Sequence, residues 1–439
     1  MDRQGPDTPA SGPAGDSHPV RADTALPVVV VGAGAAGLMA AIFAARAGAP
    51  TLLLERTRDG GRKILISGGG RCNVLPGTFR PDAYVTDSSP NSLRRILRSW
   101  PLVEQRRFFE VDLGIPLKHE DYGDKLFPVS DRARDVRDAL VAAVRRAGGE
   151  VRFDTTVEAV EPGGDVPGDV GTPAPWSVGI EGGGPIAARA VVLATGGLSV
   201  AATGSDGRGL RWARELGHEV NPTYPALTPL LADPPVHGHL AGISLECAMD
   251  AEAGTVRREA AGGFLFTHRG YSGPAVLDVS HVAVRSAQSG KGRAAVRVDW
   301  TGEGEAAWEA RLLGDGRHVS SLLAELLPTR LAEQLQAEAG VPADRSLAQL
   351  RRDERRALVE RLARYPLPWT GDEGYKKAEV TGGGVALDQV DPGTMESRRR
   401  PGLYLCGEML DAFGPIGGHN FLWAWATGRA AGRAAGRGG

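Results

Sequence analysis

The hexapeptide Gly32-Ala33-Gly34-Ala35-Ala36-Gly37 follows the apolar run Val28 to Val31 directly and opens into LMAAIFAARAG, which ends at Gly48. A β-branched run, glycines at one, three and six, and an alanine-rich segment in that order predict a buried strand, a tight turn and a helix. The next apolar stretch, TLLLE at 51–55, reads as a second strand. Together they form a βαβ unit of about thirty residues, which implies a parallel sheet with a right-handed crossover. Residues 26–45 are twenty positions without a charge, the length of a membrane span. Four of them are Pro or Gly and seven are Ala, so the strand-turn-helix reading prevails over a span.

The glycine spacing carries chemistry. It gives the turn, lets a pyrophosphate approach the backbone, and presents the positive end of a helix to that anion. Glu55, eighteen residues beyond Gly37, closes the second strand, where a carboxylate accepts the hydroxyls of a ribose and repels a 2′-phosphate. A dinucleotide, FAD or NAD, is expected, and this fingerprint does not choose between them.

With 439 residues the chain is long enough for two or three domains. Gly and Pro number 61 and 30, yet the glycines concentrate in a few loops beside apolar runs, as positional residues do. A formal net charge of −2 supplies no field that calls for nucleic acid or membrane lipid. Cys72, Cys247 and Cys406 are far apart and form no CxxC pair, which argues for a reducing compartment, hence the cytoplasm, and against a structural metal site. Residues 1–24 mix Pro, Gly, Asp and Ser and read as a disordered tail.

Farther along, residues 91–110 and 131–148 carry apolar positions at helical spacing, with Pro101 interrupting the first. VRFDTTVEAV and WSVGI, separated by a Gly/Pro loop at 162–175, read as antiparallel strands leading into the buried strand RAVVLATGG. From 221 to 300 the texture changes to short strands with turn signals, and 318–364 reads as two helices broken by Pro328 and the 340–345 loop. The strand-like texture returns near Tyr375 with EVTGGGVAL and GLYLCGE, and HNFLWAWATGRAAGR closes the chain as a helix. The expected organisation is an α/β Rossmann-like domain, 25–207 and 369–434, interrupted by a β-rich domain at 208–310 and a helical one at 311–368.

Two further signals favour a flavin. ILISGGGRCNV at 64–74 places three glycines, which free backbone N–H groups, beside the fixed cation of Arg71. GLYLCGEMLDAFGPIGGHNFLWAWATG at 402–428 ends in Gly417-Gly418 before a helix, whose N-terminus suits the charge of a reduced flavin. With FPVSDRARDVRDAL, VVLATGGLSVAATGSDGRGLRWARELGH, YPALTPL, FLFTHRGYSGPAVLDVS and EVTGGGVALDQVDPGTMES, these blocks resemble the HI0933-like (YhiN/BaiN-type) flavoprotein family, in family order, from about 27 to 434.

The resemblance implies an FAD-binding domain of the two-dinucleotide-binding flavoprotein type. It assigns Gly32, Gly34, Ala35, Ala36 and Gly37 to the pyrophosphate, and Glu55 with Arg56 to the adenosine ribose. Val157, Ala194, Thr195 and Gly196 would lie by the adenine. Lys63, Ser67, Gly68, Gly69, Gly70, Arg71, Cys72 and Asn73 would meet the ribityl chain and isoalloxazine, as would Gly407, Glu408, Asp411, Gly417, Gly418, His419 and Asn420. The chain departs from its relatives at Leu75-Pro76, where Thr-Asn is usual, and at His419-Asn420-Phe421-Leu422, where Tyr-Asn-Phe-Gln is frequent. Substrate preference is therefore the property least carried over.

His419, at the flavin-facing helix start, and Tyr375 are the candidate catalytic residues. Lys376 is expected at the domain interface, His268 and Tyr271 in a structural turn, and Cys72 without a redox partner. The basic clusters at 94–98, 351–356 and 397–400 read as solvated faces. No second GxGxxG follows a strand, so NAD(P)H would act as a transient reductant. The family implies two directions of electron flow: NAD(P)H-linked reduction of a conjugated C=C bond, or oxygen-dependent amine oxidation. A flavin-containing RNA-binding or adaptor protein is the alternative from another class, and the expected partner is a small-molecule substrate.

Overall fold

The computed structural model describes residues 1, 25–120, 124–163, 175–290, 292–314 and 316–438. The tail expected before residue 25 and most of the loop expected at 162–175 lie outside these. The central unit is built from β1 (Val28–Val31), α1 (Ala35–Arg46), β2 (Thr51–Leu54), α2 (Ala133–Arg146), β3 (Glu150–Arg152), β4 (Ala190–Leu193), β5 (Leu403–Leu405) and α3 (His419–Arg437). Its five strands are all parallel, in the order β5-β4-β1-β2-β3. Every residue of β1, β2, β4 and β5 is buried, the pattern of a parallel sheet covered on both faces. The last strand comes from the far end of the chain, so this unit is discontinuous, as its sequence texture implies.

The segment VRFDTTVEAV splits between two sheets. Its first residues form β3 at the sheet edge, and Asp154, at φ 51°, turns the chain so that Val157–Pro162 pairs instead with Trp176–Ile180. In the 64–74 motif, Ile64 to Ile66 belong to the short helix Arg62–Ile66. The strand Val380–Val385 does not join the parallel sheet but pairs antiparallel with Val220–Ala226. Its glycines allow close approach: Gly384, at φ 120°, leaves a Cβ position 2.6 Å from the Met409 carbonyl oxygen.

α3 lies along α1 with three glycines, Gly428, Gly432 and Gly436, against Ala36, Ala40 and Ala44. A Cβ on Gly428 or Gly432 would overlap the carbonyl oxygen of Ala36 or Ala40, and on Gly436 it would stand 2.8 Å from that of Ala44. The two helix backbones therefore touch directly. Trp423 and Trp425 fix the helix from its other sides, their indole N–H groups donating to Gly407 O and Val74 O at 3.0 Å each.

The inserted region corrects the expected division. A seven-stranded sheet, with Ser244–Ala253 and Val256–Thr267 at its centre, shares one hydrophobic core, Leu230 to Trp369, with the helices Glu305–Arg311, Val319–Ala324, Thr329–Glu338 and Arg352–Ala363. The β-rich and helical domains expected at 208–310 and 311–368 are thus one unit. Residues 208–226 belong elsewhere: Leu210, Trp212 and Ala213 enter the core of the parallel-sheet unit. The helix Pro274–Ser289 packs on the inserted sheet, within a stretch that reads as short strands.

A small apolar cluster of Tyr224, Ala226, Leu227, Val284, Val380 and Phe413 joins the two units. Around it Arg258 donates to Ala83 O at 2.7 Å, Ile416 N donates to Asp278 Oδ1 at 2.7 Å, and Arg285 pairs with Asp87 at 2.9 Å. Among the described residues no helix is long and apolar enough to cross a membrane, and no group of His, Cys, Asp and Glu is placed to hold a metal ion.

The α1–α3 contact predicts a specific weakness. Gly432→Leu puts side-chain atoms into the Ala40 backbone, which neither helix can vacate without parting from the other, and is expected to lower unfolding free energy by about 3 kcal/mol or more. Gly184→Leu, at an exposed position with ordinary backbone and nothing within 4 Å of the added Cβ, serves as control, and the urea midpoints of both variants against the parent check the difference.

Candidate active site

At the carboxyl ends of the parallel strands lies a cavity of about 670 Å³, lined by Val31, Leu54, Ala194 and Cys406 at the strand ends. This is where open α/β sheets place ligands. Gly32 sits at φ 100°, and a Cβ there would come 2.7 Å from Ala194 O. Gly37 has no room for a side chain against Gly32 O, so the turn between strand and helix must be glycine at both ends. Gly34 differs: it has an ordinary extended backbone, φ −77° and ψ −172°, and its missing side chain would enter open cavity space. The first turn of α1 carries no acidic side chain, leaving the positive end of the helix to the cavity.

The buried Glu55 holds this turn. One carboxylate oxygen accepts from Ala33 N at 2.7 Å, and the other accepts from Thr57 N at 2.8 Å and Thr57 Oγ1 at 2.7 Å. The first oxygen retains acceptor capacity for a ribose hydroxyl. Nearby Arg56 pairs with Asp206 at 2.6 Å and Arg208 donates to Val157 O at 3.0 Å, closing this end of the cavity.

The middle of the cavity is organised by Glu408. Its Oε2 pairs with Lys63 Nζ at 2.5 Å, and its Oε1 accepts from Ser199 Oγ at 2.6 Å, Thr381 Oγ1 at 3.0 Å and Thr381 N at 3.1 Å. Lys63 Nζ also reaches Ser199 Oγ at 2.6 Å, and Thr381 Oγ1 accepts from Leu198 N at 2.7 Å. Four segments remote in sequence therefore meet on one carboxylate.

At the other end, Ser67–Gly70 winds through left-handed conformations at Gly68 and Gly69, φ 55° and 68°. Arg71 stacks 4.2 Å over the Phe127 ring and pairs with Glu120 at 3.0 Å. Asn73, with its amide oriented to satisfy both groups, donates to Leu75 O and accepts from Gly418 N, each at 3.1 Å. The Asn420 side chain closes the preceding loop on both polar atoms of Gly414. These bonds present the N-terminus of α3, again without an acidic residue in its first turn, to the cavity.

Most of the assigned positions line the wall: Gly32, Gly34, Ala35, Ala36, Glu55, Arg56, Lys63, Ser67, Gly68, Gly69, Arg71, Asn73, Val157, Ala194, Thr195, Gly196, Gly407, Glu408, Gly417, Gly418 and Asn420. Gly37, Gly70, Cys72, Asp411, His419 and Tyr375 do not. Cys72 is fully buried, with its thiol pushed up to about 12 by desolvation. Asp411 is also buried, and its Oδ2 gathers Thr86 Oγ1, Asp87 N, Ser88 Oγ and Asn221 Nδ2 at 2.7–3.1 Å, a structural tether.

His419, the expected acid or base, is 1% exposed with Nδ1 unpartnered, and burial lowers its pKa to about 4. What α3 offers the cavity is its backbone end rather than this imidazole. Tyr375 accepts from Val200 N through its carbonyl while its hydroxyl pairs with Thr223, yet the following Lys376 to Val380 line the wall. Tyr271 is buried in the inserted core and bonded to His237 at 2.9 Å. Sequence reasoning missed Ser199 and Thr381, whose partners are set by tertiary contact alone, and Lys125, Phe127, Lys377 and Glu379 on the wall. Only the strand-like context of 125–128 and the segment before EVTGGG hinted at them.

The profile described as HI0933-like protein Rossmann domain matches residues 26–434. A ribosomal RNA dihydrouridine synthase of Escherichia coli (strain K12) is 35% identical over 408 residues, covering 91% of this chain and 95% of the relative. A 3-dehydro-bile acid delta(4,6)-reductase of Clostridium scindens is 32% identical over 417 residues, covering 92% and 98%. Among solved structures, 3-ketosteroid delta1-dehydrogenase from Sterolibacterium denitrificans aligns over 94% of this chain and 99% of its own at a TM-score of 0.50 and 14% identity, a likeness of fold. The chain belongs to the HI0933-like family of FAD-dependent oxidoreductases.

The residues present fit FAD. Eight cationic side chains against four carboxylates line the cavity, two helix N-termini face it, and the side-chain-free faces of Gly34 and Gly69 open onto it. Gly34→Val tests the fit: the backbone tolerates it and no protein atom lies within 4 Å, so stability should change by less than about 0.5 kcal/mol. Flavin recovered with the purified protein should nevertheless fall at least tenfold, as measured by released FAD per chain.

Buried His281 and His419, lowered to about 3 and 4, predict acid sensitivity. Unfolded histidines protonate near 6.5 while these stay neutral, so stability is fully present above that pH and falls as pH drops toward 4. Between pH 7.5 and 5 each should cost on the order of 1–2 kcal/mol, which His281→Gln and His419→Gln should recover in part in denaturation midpoints at the two pH values.

Proposed function

We propose that this member of the HI0933-like family reduces a carbon–carbon double bond conjugated to a carbonyl group, with NADH or NADPH as transient reductant. The observation that carries the reading is that two relatives, each aligned over more than nine-tenths of this chain, bear names describing such a change. Dihydrouridine differs from uridine by two hydrogens across a ring C=C bond conjugated to a carbonyl, and a delta(4,6)-reductase saturates double bonds of a steroid ketone.

Bound FAD would supply two-electron transfer between nicotinamide and substrate. The chain's own residues bind and orient. The α1 N-terminus and the Gly32–Gly34 turn would neutralise the pyrophosphate, and Glu55 would accept the ribose hydroxyls. Lys63 and Glu408, fixed by Ser199 and Thr381, form a rigid polar floor. The α3 N-terminus favours negative charge at the reacting end. Leu227, Val380, Phe413 and Ile416 form an apolar wall there, suited to a planar carbon skeleton and to excluding water.

A second reading concerns what carries the double bond. The Escherichia coli relative's name places it in ribosomal RNA. Asn91, Arg94, Arg95, Arg98 and Pro392 line an open groove of about 420 Å³, in which Arg95 and Arg98 have no ion pair among the described residues. Such a groove suits phosphates.

Anaerobic titration of the yellow holoprotein tests the proposal. NADH or NADPH should bleach the flavin band, and a steroid enone or uridine-containing ribosomal RNA should restore it, the acceptor that works choosing between the readings. Reduction by dithionite alone, or reoxidation by oxygen only, would overturn the reductase reading and favour amine oxidation.

A further inference from the structure

Saturating a C=C bond requires a proton as well as a hydride, and the cavity wall contains neither histidine nor tyrosine. Its acidic side chains are Glu55, Asp206, Glu379 and Glu408. Glu55 is held by Ala33 and Thr57, Asp206 by Arg56 and Arg208, and Glu408 by Lys63, Ser199 and Thr381. A carboxylate bound to cations and amide donors keeps its charge and makes a poor acid.

Glu379 alone among the four has no hydrogen-bond or ion-pair partner for its carboxyl group among the described residues. Its main chain is fixed, N–H donating to Leu227 O at 3.1 Å and C=O accepting from Ser199 Oγ at 3.4 Å. Glu379 lines the cavity next to the apolar cluster joining the two units, so its surface is accessible from the cavity while protein crowds the carboxyl group from behind.

We propose that Glu379 is the proton donor of the reaction. The inference rests on the reductase reading above. Bound FAD would supply the hydride that reaches the β-carbon; the π pair of the conjugated bond then forms an enolate, and the Glu379 O–H gives its proton to the α-carbon. The product gains two hydrogens, and the carboxylate left, in the field of Lys63 and Lys125, regains a proton from water.

The surroundings favour this cycle. Desolvation raises the carboxyl above the usual range, while Lys63 and Lys125 oppose it and stabilise the charge formed after transfer. Arg71, Lys376, Lys377 and Glu408 are the other charges on this part of the wall, and none is bonded to Glu379. The remaining thiol, Cys406, is fully buried, raised by burial and directed to Leu193 O.

The test uses holoenzyme carrying Glu379→Gln and Glu379→Asp. Both should keep the parent's flavin content, melting temperature and rate of bleaching by NAD(P)H. Reoxidation of the reduced Gln variant by the substrate should slow by about 100-fold or more, and the Asp variant should retain a measurable part of the rate. Independently of turnover, the bound flavin's absorbance should titrate with a group above the ordinary carboxylate range in the parent and not in the Gln variant. A parent that reoxidises with substrate beside a Gln variant equally fast, or a titration that survives the substitution, overturns Glu379 alone. A parent reoxidised by no conjugated acceptor overturns the reductase reading and this proposal with it.

Discussion

Backbone contact between α1 and α3 sets the distance scale of the site. Gly428, Gly432 and Gly436 meet Ala36, Ala40 and Ala44 in the same order along both helices, so the helices run parallel and point their N-termini the same way. α3 begins nine residues before Gly428, whereas α1 begins one residue before Ala36. At about 1.5 Å per residue, the second positive helix end stands roughly 12 Å beyond the first. A ligand that uses both must carry electron-rich groups at two separated points, as a dinucleotide flavin does with its pyrophosphate and ring. Larger residues along the seam would change the helix spacing, and slippage by one turn would move the second helix end by about 5.4 Å.

The charges of the cavity fall into two kinds. Glu55, Glu408, Lys63, Arg56 and Asp206 are bound on the protein side and act as fixed parts of the frame. Preorganised groups of this sort need not reorient when charge moves nearby, which is the setting in which electrostatic stabilisation works. Glu379, Lys376 and Lys377 lie on the exposed part of the wall, free to answer to whatever occupies it. They sit on the short segment that carries the chain from the inserted unit back into Val380–Val385, so this part of the wall is positioned by both units at once.

Local chemistry made the first βαβ unit legible: a valine run, three glycines and a terminal carboxylate each had one good place to go. The same reasoning failed for Pro274–Ser289, because its many valines favour strands and only Pro274 after Gly273, with apolar residues at 276, 279 and 283, marks a helix. It also read the inserted region by texture, which registers element type but not which elements share a core. The site was legible where backbone conformation dictates glycine and illegible where a side chain chooses between two sides of a loop. Asp411 and His419 stand in the expected motif, yet both turn into the protein. The Glu408 network links positions up to 345 residues apart, a pairing that no local pattern encodes.

The cavity combines a rigid cradle with a looser apolar patch that comes from the cluster joining the two units. The cofactor cradle uses backbone amides, glycine conformations and charges that satisfy one another, and each of these fails abruptly on substitution. The patch of Leu227, Val380, Phe413 and Ile416 needs only to be apolar and of about the right size, a far looser demand. Polar ties such as Arg258 to Ala83 and Ile416 to Asp278 hold it against the inserted sheet. Exchanges at those apolar positions would reshape the space beside the flavin without disturbing the parallel sheet or either helix N-terminus. One frame can therefore carry the same cofactor cradle beside an apolar space of different outline.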